Sequence, residues 1–526
     1  MIRNLLSVGG FTLLSRITGF VRDIVLAATL GAGFMNDAFV VAFRLPNHFR
    51  AIFGEGAFNA AFVPSYARVL ETEGAAEAKK FSSRIFALLL GSQLLLLVFA
   101  LVFTPLMVDL LAPGFRSDPA KFDLAVALTR VTFPYLLFIT LVTLQSGVLN
   151  ANGKFAAAAF APVLLNLTMI AALAVAFLFP NAAYAAAAGV TLSGVLQYAQ
   201  LEFAARRAGV APGLARPRWD GDIRQFFRAL GPAVIGSAGV QIALFVDTII
   251  SSLLPTGGPS SIYYADRIYQ LPIGVIGIAA GTVLLPEMSR AISAGAPEEA
   301  LRAQNRTMAL TIALAAPFFV AFLGIPDLVM RAVFVRGRFT DADAAAAAAV
   351  LAAYGAGLFA IVLISSARAS FQARGDTTTP MIASLIAVAL NVGLKLFLYK
   401  PLGAPGLALA TAVGAWINFG ILVVLAVRAD ALQPNVVLIK VAAASLAGSA
   451  ALAAIVIFGG APAQTFAVRF GGFAAIVELA LLGFVGMIAY VAVFLGAARA
   501  LRLNLSALKG VRRRAKPADA AKESTP

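Results

Sequence analysis

Seven basic side chains sit inside stretches that are otherwise apolar enough to lie in lipid: Arg16, Arg22, Arg44, Arg50, Arg130, Arg267 and Lys395. A charge at the centre of a membrane-spanning helix costs about 2.5–3.5 kcal/mol on insertion scales, so each one needs a cause. Their distribution is uneven. The first two apolar stretches hold Arg16, Arg22, Arg44 and Arg50 together with Asp23, Asp37, Glu55 and the lone histidine, His48. The second half of the chain adds Asp266 and Arg267. Guanidinium groups make two-pronged hydrogen bonds to phosphate and carboxylate. A water-filled cavity with a surplus of arginine would therefore select an anionic substrate, phosphate or pyrophosphate above all. The competing reading is salt bridging between packed helices, which suits Asp23, Asp37, Glu55 and Asp266 better than it suits the arginines.

Spacing groups these side chains. Ser15 and Arg22 are nearly two helical turns apart and share a face. Arg16 lies about 120° from Arg22 around the same helix, and Gly19 between them is the expected place for a bend. Asp37 and Arg44 also share a face, so Arg44 is expected to pair with Asp37 or to snorkel. Pro46 is expected to kink its helix beside Asn47 and Arg50. Arg267 follows Tyr263 by one turn, with Asp266 beside it. Arg130 and Lys395 fall near the ends of their stretches and are expected to reach for the interface. His48 reads as a packing or hydrogen-bonding residue.

Several chemistries are excluded. The chain has no cysteine, which removes disulfides, thiolate metal sites, iron–sulfur clusters and thiol catalysis. One histidine cannot build a multi-histidine metal site. No phosphate-binding Walker motif is present, and Gly31-Ala-Gly33 and Gly54-Glu-Gly56 lack the strand–turn–helix setting of a nucleotide fold. The expectation is a protein that is not an enzyme and needs no cofactor beyond coupling to a monovalent cation or to the membrane potential.

The elements that must position these groups are transmembrane helices. Of 526 residues, 60% are hydrophobic and only 13% charged, where a soluble domain has about 25% charged. Apolar stretches long enough to span a bilayer recur at 5–29, 35–63, 85–111, 125–149, 157–180, 185–204, 229–250, 262–286, 307–325, 344–367, 381–398, 406–427, 441–458 and 471–498. The fold class is therefore an all-α polytopic membrane protein with fourteen transmembrane helices. The first stretch lacks a small-residue cleavage site and reads as a retained span rather than a signal peptide. Lysine and arginine outside the spans divide 27 to 7 in favour of the side that carries both termini, so both termini are expected in the cytoplasm. The net charge of +16 then reports topology rather than a nucleic-acid partner. The tail after Ala498 is strongly basic and is expected to rest on anionic lipids.

The chain also resembles itself at an offset of roughly 218–226 residues. Arg44-Leu-Pro-Asn47 answers Gln270-Leu-Pro-Ile273, Val63-Pro-Ser-Tyr-Ala-Arg68 answers Leu285-Pro-Glu-Met-Ser-Arg290, and Asn150-Ala-Asn-Gly153 answers Gln372-Ala-Arg-Gly375. Each of the last pair is followed by a proline and then an asparagine, Pro162 with Asn166 and Pro380 with Asn391. A repeat of six spans gives two parallel six-helix lobes, 1–206 and 223–428, facing each other around a cavity. Two added helices occupy 437–498, and 499–526 is the tail.

The N-terminal run Ser15-Arg-Ile-Thr-Gly-Phe-Val-Arg-Asp23, with Asn36-Asp-Ala-Phe39, Phe43-Arg-Leu-Pro-Asn47 and Gly54-Glu-Gly-Ala-Phe-Asn-Ala-Ala-Phe-Val-Pro64, resembles the MurJ/MviN family of lipid II flippases. Tyr263-Tyr-Ala-Asp-Arg267, Gly281-Thr-Val-Leu-Leu-Pro286 and Gly375-Asp-Thr-Thr-Thr-Pro380 are similar to it too. The resemblance implies a two-lobed exporter that moves the undecaprenyl-pyrophosphate-linked disaccharide-peptide of the cell wall across the bacterial inner membrane. It implies that Arg16, Arg22, Arg50 and Arg267 hold the pyrophosphate, and that Ser15, Asp37, Arg44, Asn47, Glu55, Ser260 and Asp266 are cavity or gate positions. Spans 13 and 14 would form a groove for the lipid tail. Asp247 and Asp376 would be ligands of a sodium site, although Gln372 and Val392 stand where two further ligands are expected. Cell-wall synthesis and division proteins are the candidate protein partners. Competing readings are another exporter of the same superfamily, whether a polysaccharide-lipid flippase or a multidrug antiporter, and a non-transporting scaffold for cell-wall enzymes.

Overall fold

The computed structural model describes residues 2–50, 57–216 and 218–504. Among them the chain is helical, apart from one short bridge between Arg336 and Phe339. The first half forms α1 (Ile2–Leu30), α2 (Phe34–Arg50), α3 (Ala57–Thr72), α4 (Ala75–Val102), α5 (Thr104–Leu111), α6 (Pro119–Thr132), α7 (Pro134–Ala151), α8 (Phe155–Ala174) and α9 (Ala182–Arg207). The second half forms α10 (Gly221–Ser252), α11 (Gly258–Pro272), α12 (Ile278–Ser293), α13 (Pro297–Gly324), α14 (Pro326–Phe334), α15 (Asp341–Gly355), α16 (Leu358–Gln372) and α17 (Thr378–Arg428). The chain continues into α18 (Val436–Ala467) and α19 (Ala474–Ala500), which pack along each other.

Seven stretches among the described residues are long and apolar enough to cross a membrane. The two longest, Thr378–Arg428 and Val436–Ala500, each contain a glycine with positive φ, Gly403 at 59° and Gly471 at 55°. Only glycine adopts that conformation without strain, so each long stretch reverses there and holds two of the expected spans. The seven stretches thus cover nine of the fourteen. Among the described residues the other expected spans fall on α1, on α2 with α3, on α9, on α10 and on α11 with α12. Those are the helices that carry the chemistry.

Prolines set the breaks. Pro105 and Pro134 stand in the first turn of α5 and α7, where a missing N–H costs nothing. Both therefore divide a stretch read from sequence as one span. Pro272 ends α11, and residues Ile273–Gly277 form a π-helical turn before α12. Proline cannot donate to the carbonyl four residues back, which favours a change of ladder register at that point.

Packing is mostly local in sequence. In the first half α8 lies against α1 and α9, α7 against α9, and α6 against α2. In the second half α13 packs on α12 and α16, and α17 on α15 and α16. The halves meet where α10 lies on α3, α11 on α2, and α14 on α1.

Candidate functional site: two polar cavities and the ion cluster between them

Asp23, on α1, is the hub of the polar contacts that join the halves. Arg22 donates to its Oδ1 from Nε at 3.1 Å and from Nη2 at 2.7 Å. The Tyr263 hydroxyl on α11 donates to the same oxygen at 2.9 Å. Arg267 Nε lies 3.5 Å from Oδ2, and its guanidinium sits 4.6 Å from the centre of the Tyr263 ring, an attractive position for a cation. Two guanidinium groups thus share one carboxylate. The side chains of Arg22 and Asp23 are 10% and 4% exposed, whereas that of Arg267 is 33% exposed. Arg267 Nε is buried and makes no hydrogen bond. Asp23 is committed to Arg22 and Tyr263, which leaves Arg267 as the cation of the cluster with capacity for a ligand.

Arg267 opens on a cavity of about 350 Å³ between α2, α10, α11, α15 and α17. Its charged lining is Arg44, Asp247, Asp266, Arg267 and Lys395, with Asn47 and His48 beside them. Most of these groups already have partners. Lys395 Nζ lies 2.5 Å from Asp247 Oδ1, Gln270 Nε2 donates to Asp266, and Arg44 Nη1 donates to Thr248 Oγ1 at 3.3 Å. The His48 ring packs 4.5 Å from that of Phe245, as the sequence suggested.

A second cavity of about 350 Å³ lies within the first half, between α1, α2, α3, α7, α8 and α9. Its polar lining includes Ser15, Arg50, Asn59, Ser146, Asn166 and Gln197, and Arg50 is the one charged residue in it among the described residues. Two short links tie the cavities together. Arg50 Nε donates to Asn47 Oδ1 at 2.9 Å, one turn back on α2. Asn166 accepts from Arg22 Nη1 at 2.9 Å and donates to the Ser15 carbonyl at 2.9 Å.

One end of the molecule is sealed by backbone contact. Asp37 is fully buried and caps the start of α11. Its carboxylate accepts from the amides of Gly257 at 2.8 Å and Ser260 at 3.0 Å, and from Ser260 Oγ at 2.5 Å. Asn36 Nδ2 donates to that hydroxyl at 2.9 Å. A carboxylate suits a helix N-terminus, and buried Lys121 completes it at 2.8 Å. Beside this cap, the Arg338 amide donates to the Ala28 carbonyl at 2.8 Å. A Cβ on Gly337 would lie 2.2 Å from that same carbonyl, and one on Gly114 would lie 2.1 Å from that of Ser252. Glycine is what permits the halves to touch here.

Several expectations change. The arginines do not line a single cavity: Arg267 and Arg44 face the first, Arg50 the second, Arg22 is buried between them, and Arg16 Nη1 lies against Gly274, 2.4 Å from where a Cβ would stand. Gly19 marks no bend. Helix α1 is continuous, and a Cβ there would stand 3.3 Å from Asn166 Nδ2, so Gly19 serves close approach. Arg44 reaches α10 rather than Asp37. Lys395 does not reach the interface: it is 3% exposed and pairs with Asp247. Lys121, which falls between two of the spans expected from sequence, and Asn166, marked there only by the repeat, also belong to the polar network. Glu55 and most of the basic tail lie outside the described residues.

The sodium site also falls. Asp376 accepts from the Thr378 and Thr379 amides, both at 3.0 Å, and so caps α17. Asp247 is held by Lys395, seventeen residues further along α17, about 25 Å at 1.5 Å per residue. The side chains of Asp247, Lys395 and Asp376 cannot span that length, so the two carboxylates cannot share an ion. No group of three or more His, Cys, Asp or Glu side chains placed to hold a metal ion occurs among the described residues.

A multi-pass helical membrane protein with its charges gathered on internal cavities is the class this architecture defines. The chain belongs to the lipid II flippase MurJ family, whose model matches residues 26–477. The match starts after Arg16, Arg22 and Asp23. A relative from Rhizobium meliloti (strain 1021), described as a probable lipid II flippase MurJ, is 43% identical over 423 residues, 80% of this chain and 79% of its own. The lipid II flippase MurJ of Burkholderia cenocepacia is 36% identical, covering 80% of this chain and 82% of its own. Among solved structures, a lipid II flippase MurJ in an inward closed conformation matches 94% of this chain and 99% of its own with a TM-score of 0.76 at 24% identity. An inward-facing MATE family multidrug transporter matches 81% of this chain and 98% of its own with a TM-score of 0.65 at 16% identity. These two likenesses speak to the fold.

Proposed function

We propose that the chain flips lipid II across the bacterial inner membrane by alternating access of two lobes, with Arg267 and Arg22 handling the pyrophosphate. The observation that carries this reading is the Arg22–Asp23–Tyr263–Arg267 cluster. It joins α1 to α11, carries a surplus of positive charge, and keeps one guanidinium open to a cavity. Family membership and the names of the relatives supply the substrate.

In this reading the lobes are 1–206 and 223–428, fourteen spans cross the membrane, and both termini are cytoplasmic. Helices α18 and α19 guide the lipid tail. The pyrophosphate docks on Arg267 and draws it from Asp23, while Arg22 keeps Asp23 neutralised. The lobes then part at the end sealed by Asp37, Ser260 and Lys121, and the headgroup leaves there. No bond is made or broken in the substrate. Each charge that crosses the field moves at about 2.3 kcal/mol per 100 mV, so the membrane potential can bias the cycle.

The test is appearance of lipid-linked disaccharide-peptide on the outer leaflet of a flippase-depleted strain. The wild-type chain should restore it and Arg267→Ala should not, with both proteins inserted at equal levels. Restoration by Arg267→Ala would remove the pyrophosphate role. Failure of the wild type would remove the flippase reading.

A further inference from the structure

The second cavity has no part in the pyrophosphate chemistry just described, yet it equals the first in volume and sits at the low end of the range usual for small-ligand sites. Its wall is chemically distinct. Its polar groups are mainly neutral amides and hydroxyls, from Asn59, Thr143, Ser146, Asn166 and Gln197, set in an otherwise apolar wall. Such groups both donate and accept, which matches the hydroxyl and amide groups of a sugar and matches a polyanion poorly. Two of them stand out. Gln197 is 2% exposed and has only a long contact, from Nε2 to Ser193 Oγ at 3.4 Å. Asn59 Oδ1 is buried with no hydrogen-bond partner. A buried acceptor without a donor is costly in a finished protein interior, and a sugar O–H would supply the donor. Tyr135, Ile139 and Leu165 form an apolar flank of the kind that takes the C–H face of a pyranose.

The position is as informative as the chemistry. Asn166 stands on the cavity wall and bonds Arg22, which bonds Asp23, the partner of Arg267. Arg50 lines the same cavity and bonds Asn47 of the charged one. A ligand group in the second cavity is therefore next to the Arg22–Asp23–Arg267 cluster without touching it, and shares its own wall with Arg50.

We propose that this cavity is a subsite for the neutral sugar attached directly to the pyrophosphate of the lipid-linked substrate, with Gln197 and Asn59 as its hydrogen-bonding residues. The inference rests on the flippase reading and assigns the part of the headgroup which that reading left unplaced.

The experiment measures binding of two probes to the full-length protein in nanodiscs: lipid II, and undecaprenyl pyrophosphate, which has the same anion and tail but no sugar. Wild type should prefer lipid II. Gln197→Met, close in volume, should weaken lipid II about tenfold, the scale of one or two lost neutral hydrogen bonds, and leave undecaprenyl pyrophosphate unchanged. Ser146→Ala should act in the same direction and decides the matter if Gln197→Met fails to fold. Arg267→Ala should weaken both probes together. Equal loss of both probes in a folded Gln197→Met or Ser146→Ala protein, or no loss of either, would overturn the subsite. A wild type that binds both probes equally would overturn it too, while leaving pyrophosphate recognition intact. Binding of neither probe by wild type would remove the flippase reading and the subsite with it.

Discussion

The two cavities have equal volumes and opposite chemistry. The first is walled by five charged groups, most of them already committed to one another or to a neighbouring amide or hydroxyl. The second carries neutral amides and hydroxyls and, among the described residues, one arginine in an otherwise apolar wall. Charges in a low-dielectric interior act at a distance and cannot be left single. The charged cavity is therefore a set of largely committed groups that a ligand must disturb in order to bind. Neutral hydrogen-bonding groups act only on contact and can wait for a ligand at smaller cost. One cavity suits recognition of charge, and the other suits recognition of shape and hydroxyl pattern.

The largest effect should come from the charged side. Arg267→Ala removes the one cation of the cluster that has a free donor, and flipping should fall about a hundredfold or more, the scale of a lost charge-assisted contact to a buried anion. Arg50→Gln, on the neutral side, should cost much less, because in this reading the pyrophosphate is held by Arg267 and Arg22 and not by Arg50. The measurement is the rate at which lipid II becomes accessible outside in proteoliposomes. Equal losses in the two variants would erase the distinction between the cavities.

Next in size is the Lys395–Asp247 pair. Lys395 is almost fully buried, while the Asp247 side chain is 37% exposed. Asp247→Ala strands the ammonium, and breaking such a pair costs about 3–5 kcal/mol when both partners are buried. Solvent reaches Asp247, so about 2 kcal/mol is expected here. Thermal unfolding in detergent should show the drop, and Asp247→Ala with Lys395→Met should recover most of it. A double variant as unstable as the single one would mean that Lys395 is held by something other than this pair.

These pairs mark what could be read from the sequence. The helical class and the apolar stretches follow from long uncharged runs. So does the concentration of chemistry on α1, α2 and α11, because an intramembrane charge is too costly to be incidental. The partners were not legible. Nothing in the spacing of α1 says that Asn166 will approach Gly19, or that Tyr263 will share Asp23 with Arg22. Those contacts depend on which helix faces which, and that is a long-range property. Lys395 was misplaced for the same reason. Near the end of an apolar run a lysine ordinarily snorkels, and only the position of α10 beside α17 supplies the carboxylate that holds it inside.

A smaller effect should come from Gly274, in the π-helical turn between α11 and α12. Alanine there would put its Cβ 2.4 Å from Arg16 Nη1. The obstruction is the end of a flexible side chain, so Arg16 would swing aside while the backbone stays. Alanine also favours helix over glycine by about 1 kcal/mol. Gly274→Ala should therefore leave the unfolding temperature unchanged or raised, and should slow flipping about threefold if Arg16 serves the pyrophosphate from its present position. Unchanged flipping would make Arg16 a packing residue and leave Arg267 and Arg22 as the pyrophosphate ligands.

The smallest effect lies outside both cavities. The Thr379 amide, then its hydroxyl and the Thr378 amide, hold the Asp376 carboxyl below its ordinary value of 3.8. A depressed carboxylate adds stability that is present above the unfolded pKa and is lost as pH falls through the lower folded one. The start of α17 should therefore loosen only in acid, well below neutral pH. Hydrogen exchange at Thr378 and Thr379 reads this directly: Asp376→Ala should speed it at neutral pH, and wild type should show the same increase only in acid. Sodium should protect neither amide, because Asp376 is a helix cap about 25 Å along α17 from the group that holds Asp247. Protection by millimolar sodium, absent with potassium, would return Asp376 to the role of a cation ligand. It would also mean that α10 and α17 adopt a second arrangement in which Lys395 leaves the charged cavity.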